Sequence, residues 1–217
     1  QLTPDLLLVA DYTVKIPMSL VRNVKHGGLN LHPSLLPAYR GPAPVPWAIA
    51  NGEENTGVTV VTLSQAFDSG AIVAQAREVI TPRDTTETLL SRLFEKGTQL
   101  LLTSLPLYLK NPEATFKPPV TSPSYYPRLK REDGFVNWEN IKSAFDGINA
   151  HVYERKYRAF HPWPGLWTKI PTAQGERRLK FLKVSIAEGK LIPDEVQFEG
   201  KTSVKLGGAT DLINRIN

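Results

Sequence analysis

Asn30, His32 and Asp68 supply an amide, an imidazole and a carboxylate, three groups that can converge on one polar reaction. The amide donates hydrogen bonds, the imidazole carries protons near its ordinary pKa of about 6.5, and the carboxylate orients or charges its neighbour. Gly28-Leu29-Asn30-Leu31-His32 reads as a short strand. Residues two apart on a strand share a face, so Asn30 and His32 point the same way. Pro33 has no N–H for a ladder and ends the strand. Asp68 lies further on in Phe67-Asp68-Ser69-Gly70, a loop. Singly, each has an ordinary alternative: Asn30 as a turn cap, His32 as a buried structural histidine, Asp68 as a turn residue before Ser-Gly.

The elements that must hold these groups are set by apolar patterning. Strands are predicted over 5–10, 28–32, 57–63 and 72–80, with short helices over 17–24 and 46–51. A Pro/Gly-rich loop covers 33–46 and a second loop covers 64–70. Asp84-Thr85-Thr86-Glu87 has the form of a capping box. It opens a helix whose Leu89, Leu90, Leu93, Phe94, Leu100, Leu101 and Leu105 recur at core spacing. Six prolines between 106 and 127 stiffen the chain after those leucines and mark a domain boundary. Beyond it, 133–138 reads as a turn and short strand, and 140–160 as helical. Short strands at 167–170, 179–186 and 195–198 suggest a small barrel.

Asn30-Leu31-His32, the intact Ser34-Leu35-Leu36-Pro37 and the downstream Asp68 resemble the formyltransferases that use 10-formyltetrahydrofolate. Arg158-Ala159-Phe160-His161-Pro162-Trp163-Pro164-Gly165 in the C-terminal half is similar to the branch acting on methionyl-tRNA. The resemblance covers nearly the whole chain. It implies an α/β architecture: a Rossmann-like formyltransferase domain lacking its N-terminal part, followed by a small OB-like β-barrel. The expected divisions are a partial catalytic domain over 1–109, a Pro-rich linker over 110–130 and a tRNA-binding barrel domain over 131–217.

The resemblance further implies a formyl transfer from 10-formyltetrahydrofolate to the amino group of initiator methionyl-tRNA, in support of translation initiation. Asn30 would stabilise the oxyanion, an effect of about 3 kcal/mol for one such donor. His32 would accept the proton of the attacking amine or donate a hydrogen bond to the oxyanion, and Asp68 would orient His32, raise its basicity or hold a shuttling water. The folate would be lined by Ser34, Leu35, Leu36 and Pro37, and bordered by Val14 and Pro17. Asp11-Tyr12-Thr13-Val14-Lys15 stands where the family has a more apolar stretch. The tRNA backbone would meet Arg40, Arg128, Lys130, Arg131, Arg155, Lys156 and Arg158, each equally readable as a solvated surface charge. Two alternatives stand beside this reading: a formyltransferase for an amino sugar nucleotide, and an inactive fragment that binds only RNA or folate.

Charge supports a division of labour. Residues 1–109 carry a net −1 and residues 110–217 a net +6. A near-neutral half joined to a basic half suits a small-molecule enzyme with an anion-binding module. Cysteine is absent, which excludes disulfides, cysteine–zinc sites and thiol nucleophiles. His26, His151 and His161 lack metal-ligand spacing with acidic partners, so no metal is expected. No apolar run reaches membrane-spanning length. A monomer is expected, in a bacterial cytoplasm, or in a mitochondrion if the source is eukaryotic.

Overall fold

Apolar and β-branched segments of the first eighty residues assemble into one mixed four-stranded sheet, in the order β1-β2-β3-β4. The structure, a computed structural model, describes residues 3–12, 14–113, 122–172 and 175–216. Its strands are β1 (Leu7–Ala10), β2 (Gly28–His32), β3 (Asn55–Thr62) and β4 (Ile72–Val79). β1 runs parallel to β2, as a crossover through the short helix α1 (Met18–Arg22) requires. β2–β3 and β3–β4 are antiparallel. β2 is therefore an inner strand, and Leu29 and Leu31 are buried. Helix α2 (Pro44–Asn51) lies between β2 and β3 in the chain.

Helix α3 (Thr86–Lys110) covers this sheet. Its Phe94, Leu100, Leu101 and Leu105 pack on Leu29, Leu31 and Val60, and Leu89 and Leu93 are buried. A Cβ on Gly97 would stand 2.9 Å from Val58 Cγ2, so glycine is what lets the helix approach β3 so closely. Near the far end Tyr108 donates its hydroxyl to the His26 carbonyl at 2.9 Å, tying the helix to the turn before β2.

The cap of α3 is shifted by one residue from the expected Asp84/Glu87 pair. Thr85 is the N-cap, and its side chain exchanges bonds with Thr88 in a reciprocal capping box. Asp84 is engaged elsewhere, accepting from the Thr81 N–H at 2.7 Å and from Arg92 at 2.8 Å. Burial alone would raise the Asp84 carboxyl; the Arg92 guanidinium and Thr81 outweigh that and hold it down at about 2. The same Arg92 reaches Glu78 on β4 at 3.0 Å and so joins α3 to the sheet. α3 also continues through Pro106, the first proline of the stretch expected to break up the chain.

Compactness divides the chain into Gln1–Ala48 with Glu53–Arg128, and Ile49–Gly52 with Leu129–Asn217. Of the expected linker, residues 114–121 lie outside the described residues. The second unit is built on an antiparallel meander of β5 (Leu166–Thr172), β6 (Gly175–Ala187), β7 (Lys190–Phe198) and β8 (Ser203–Lys205). Helices α4 (Trp138–Phe145), α5 (Ala150–Phe160) and α6 (Ala209–Ile216) accompany it. Trp138, Ile141, Phe145, Leu166, Phe181, Val196 and Leu212 share its core. The helix expected over 140–160 is broken in two, because Gly147 and Asn149 adopt positive φ of 99° and 57°. Trp138 begins α4 instead of ending a strand, with Asn137 accepting from the Glu139 N–H as N-cap. No helix of the described residues is long and apolar enough to cross a membrane.

Candidate active site

The carboxyl end of β2 carries the first two groups of the site. Asn30 pairs in register with Val61 and His32 with Thr59, and both side chains lie on one face. Asp68 comes from the loop that turns β3 into β4, where Thr62 N–H bonds the Ala71 carbonyl and closes the hairpin. Its φ of +52° is left-handed, which aspartate tolerates better than most residues. The three converge: Asp68 Oδ1 lies 3.4 Å from Asn30 Nδ2 and 3.4 Å from His32 Nδ1.

Hydrogen-bond chemistry decides the imidazole tautomer. His32 Nε2 stands 2.8 Å from the Tyr39 carbonyl. A carbonyl oxygen only accepts, so Nε2 carries the proton. In the neutral ring Nδ1 is then a lone pair facing Asp68. His32 is 4% exposed. Its pKa is lowered, chiefly by burial, with Asp68 and the Tyr39 carbonyl pulling it the other way. The site thus holds a neutral base beside a carboxylate that stabilises the same ring once it is protonated. The second Asp68 oxygen accepts from the Gly41 N–H at 2.9 Å, which fixes the carboxylate plane.

The turn after β2 is held by Thr59, a residue that by its type alone reads as ordinary strand filler. Its hydroxyl is fully buried, donates to the Ser34 carbonyl at 2.7 Å and accepts from the Leu36 N–H at 3.2 Å. Gln75, paired with Thr59 across β3–β4, donates to Thr59 Oγ1 at 2.9 Å and to the Leu36 carbonyl at 2.8 Å. Ser34 Oγ donates to the Ala38 carbonyl at 2.8 Å. Two polar residues in buried, pairing strands were the available signal, since buried polar groups need partners. Ser34, Leu36 and Pro37 are buried and Leu35 is half-buried. Leu36 packs with Val61 and Ile72.

A cleft of about 470 Å³ is lined by Lys15, Arg40, Gln65, Ala66, Phe67, Pro123, Ser124 and Tyr125; it includes the chain neighbours of Gly41 and Asp68 but not Asn30, His32 or Asp68 themselves. Phe67 precedes Asp68 in the chain, and Phe67 and Tyr125 are 48% and 59% exposed. Two exposed aromatic rings and two cations therefore line this cleft. Val14 is exposed, and Pro17 is the N-cap of α1.

The remaining basic residues are dispersed. Arg128 falls in the first unit and is exposed. In the second, Lys130 and Arg131 are exposed, and the Arg131 guanidinium sits 5.8 Å over the Trp167 ring. On α5, Arg158 pairs with Glu154 at 2.6 Å, and Lys156 donates to the Phe135 carbonyl at 3.3 Å. Arg155 Nε is buried without a hydrogen-bond partner.

An inner-strand Asn-x-His meets an aspartate from the next hairpin, and comparison with known proteins shows what the chain that carries this arrangement is similar to. Residues 1–105 match the family model described as formyl transferase, so this part of the chain is a formyl transferase domain. The chain is 36% identical over 213 residues to the methionyl-tRNA formyltransferase of Thermus thermophilus, covering 98% of this chain and 65% of that one. It is 34% identical over 192 residues to the methionyl-tRNA formyltransferase of Thermodesulfovibrio yellowstonii, covering 88% of this chain and 58% of that one. The chain thus spans about three fifths of the length of these relatives. Among solved structures, methionyl-tRNA formyltransferase from Clostridium thermocellum shares the fold with a TM-score of 0.63 and 21% identity, over 90% of this chain and 78% of that one. HypX from Aquifex aeolicus in complex with tetrahydrofolic acid shares it with a TM-score of 0.67 and 20% identity, over 98% of this chain and 39% of that one.

Proposed function

We infer that the protein transfers a formyl group from a 10-formyltetrahydrofolate donor to the amino group of initiator methionyl-tRNA. The observation that carries this reading is the convergence of Asn30, His32 and Asp68 in a domain of the formyl transferase family. The acceptor amine attacks the formyl carbon, and the carbonyl oxygen takes the negative charge. Asn30 Nδ2, bound to Asp68 only at a long 3.4 Å, has donor capacity left for that oxyanion. His32 Nδ1 takes the proton released by the attacking nitrogen. Asp68 stabilises the resulting imidazolium. Collapse breaks the bond from carbon to the donor nitrogen, which receives a proton. The protonated His32 returns it in this reading.

Tetrahydrofolate in the HypX structure supports a folate donor, as does the chemistry of the cleft. Phe67 and Tyr125 present faces to a flat ring, and Lys15 and Arg40 present charge to a carboxylate tail. Its volume falls in the range of small-molecule sites. Val14, Pro17 and the Ser34–Pro37 turn border this donor site in our reading, with the turn acting mainly through its backbone and Leu35.

The second unit is the RNA module in this reading, corresponding to the OB-like barrel, with residues 110–130 as linker between domains over 1–109 and 131–217. Lys130, Arg131, Arg155, Lys156 and Arg158 are its proposed phosphate contacts, and Arg40 and Arg128 are proposed contacts on the first unit. The protein acts as a monomer in the bacterial cytoplasm, in translation initiation.

The test offers the protein 10-formyltetrahydrofolate with charged initiator tRNA or with an amino sugar nucleotide, and tracks the label. Formylated methionyl-tRNA is expected. Formylation of the sugar nucleotide alone overturns the assignment.

A further inference from the structure

Tyr39, Arg40 and Gly41 form a short turn whose two ends touch the two ionisable members of the site. The Tyr39 carbonyl accepts from His32 Nε2 at 2.8 Å, and the Gly41 N–H donates to Asp68 at 2.9 Å. Tyr39 and Gly41 both have positive φ, 56° and 100°. A tyrosine in the left-handed region is strained, so something outside the turn must hold it.

The support comes from eighty-five residues downstream. Ser124 and Tyr126, in the Pro-rich stretch after α3, run alongside the turn in a parallel bridge centred on Arg40 and Tyr125. Arg40 donates its N–H to the Ser124 carbonyl and accepts from the Tyr126 N–H, each at 2.8 Å. The Tyr39 N–H donates to Ser124 Oγ at 2.9 Å. The Tyr126 ring stacks on the Tyr39 ring, with centroids 4.5 Å apart and planes 10° from parallel. Trp47 lies against Tyr126 at 5.8 Å and donates its indole N–H to the Pro127 carbonyl at 3.2 Å. A Cβ on Gly41 would collide with the Tyr126 carbonyl, so the approach itself requires glycine there.

We propose that Ser124 and Tyr126 are positioning residues of the His32–Asp68 pair, acting through the Tyr39–Gly41 turn. The segment they belong to is a strap on the catalytic loop. It keeps the Tyr39 carbonyl on His32 Nε2, which locks the tautomer that offers Nδ1 as base, and it keeps the Gly41 N–H on Asp68. The kinetic consequence rests on the formyl-transfer reading, while the effect on the imidazole does not.

The experiment has two readouts on the full chain. Ser124→Ala and Tyr126→Ala should lower kcat by roughly tenfold to a hundredfold, in line with small misplacements of catalytic groups, with KM for the acceptor nearly unchanged. Ser124→Thr and Tyr126→Phe, which keep the hydroxyl and the stacked ring, should retain most of the rate. Nitrogen-15 spectra of the four histidine rings, with His32 identified by its substitution, should show a single Nε2–H tautomer in the parent protein. Mixed or altered His32 signals are expected in the two alanine variants. Parent-like His32 signals in both alanine variants overturn the proposal, whatever the kinetics. If Tyr126→Ala fails to fold, Ser124→Ala decides, since it removes a single hydroxyl. A parent protein that formylates no acceptor defeats the functional reading instead, and leaves the tautomer comparison to judge the strap.

Discussion

His32 meets Asp68 through Nδ1, at 3.4 Å, and not through the nitrogen that bonds the Tyr39 carbonyl. The proton on Nε2 is committed to the backbone, so the lone pair of the neutral ring lies on the Asp68 side. That single relation underlies the proposed roles of His32 as base and Asp68 as orienting group.

Removing the base removes most of the rate. His32→Ala should lower kcat for formyl transfer by about two to four powers of ten, the range of positioned general bases. Asn30→Ala should lower it by about two to three powers of ten, as for one oxyanion donor. Binding of methionyl-tRNA, measured by filter retention at fixed salt, should change little in either. A near-normal kcat in one of them removes that residue from the mechanism.

The acid limb of the rate profile reports His32. Burial lowers its pKa, so the neutral base survives below pH 6.5 and kcat should rise with pH to a plateau, with a midpoint under that value. Stability has the same sign. Between the lowered folded value and about 6.5, the unfolded chain binds a proton that the folded chain refuses, so stability falls as pH drops through this window. Melting temperatures at pH 7.5 and 5.5 check this: His32→Gln should flatten the dependence. An unchanged slope in that variant places the titration elsewhere.

Thr59 is the polar hub of the turn after β2. Thr59→Val keeps the shape but strands the Leu36 N–H, the Ser34 carbonyl and one Gln75 hydrogen bond. Unmet buried groups of this kind cost about 1–3 kcal/mol each, with relaxation reducing the sum. Urea unfolding should show a loss of at least about 2 kcal/mol, against almost nothing for an exposed control such as Thr103→Val.

The basic residues of the second unit should divide by their local partners. Lys130 and Arg131 are exposed, whereas Arg158 is half-buried on Glu154. Lys130→Ala and Arg131→Ala should each reduce the slope of log affinity for tRNA against log salt by up to about one. Arg158→Ala should reduce the slope by less, because its guanidinium is already paired with Glu154, and should also lower thermal stability. A larger salt-slope change for Arg158 than for Lys130 reverses this ranking.

Period-two spacing in Gly28–His32 was enough to put Asn30 and His32 on one face, and Pro33 was enough to end the strand there. Apolar spacing likewise outlined the sheet and α3. These are local effects, set within a few residues by backbone geometry. The α3 cap slipped by one residue because Asp84 found a stronger partner in Arg92, and the 140–160 helix broke where Gly147 and Asn149 turned left-handed. Both outcomes turn on competition that composition does not weigh.

What only the tertiary structure decided is the working geometry. The tautomer of His32, the Gly41 N–H bond that orients Asp68 and the role of residues 124–126 as a strap depend on backbone groups that no local pattern singles out. Every residue but proline carries the same N–H, and every residue the same C=O, so no residue type announces which of them will meet a catalytic ring. That choice is made by packing, when the hairpin after β3 and the strap after α3 close over the end of β2.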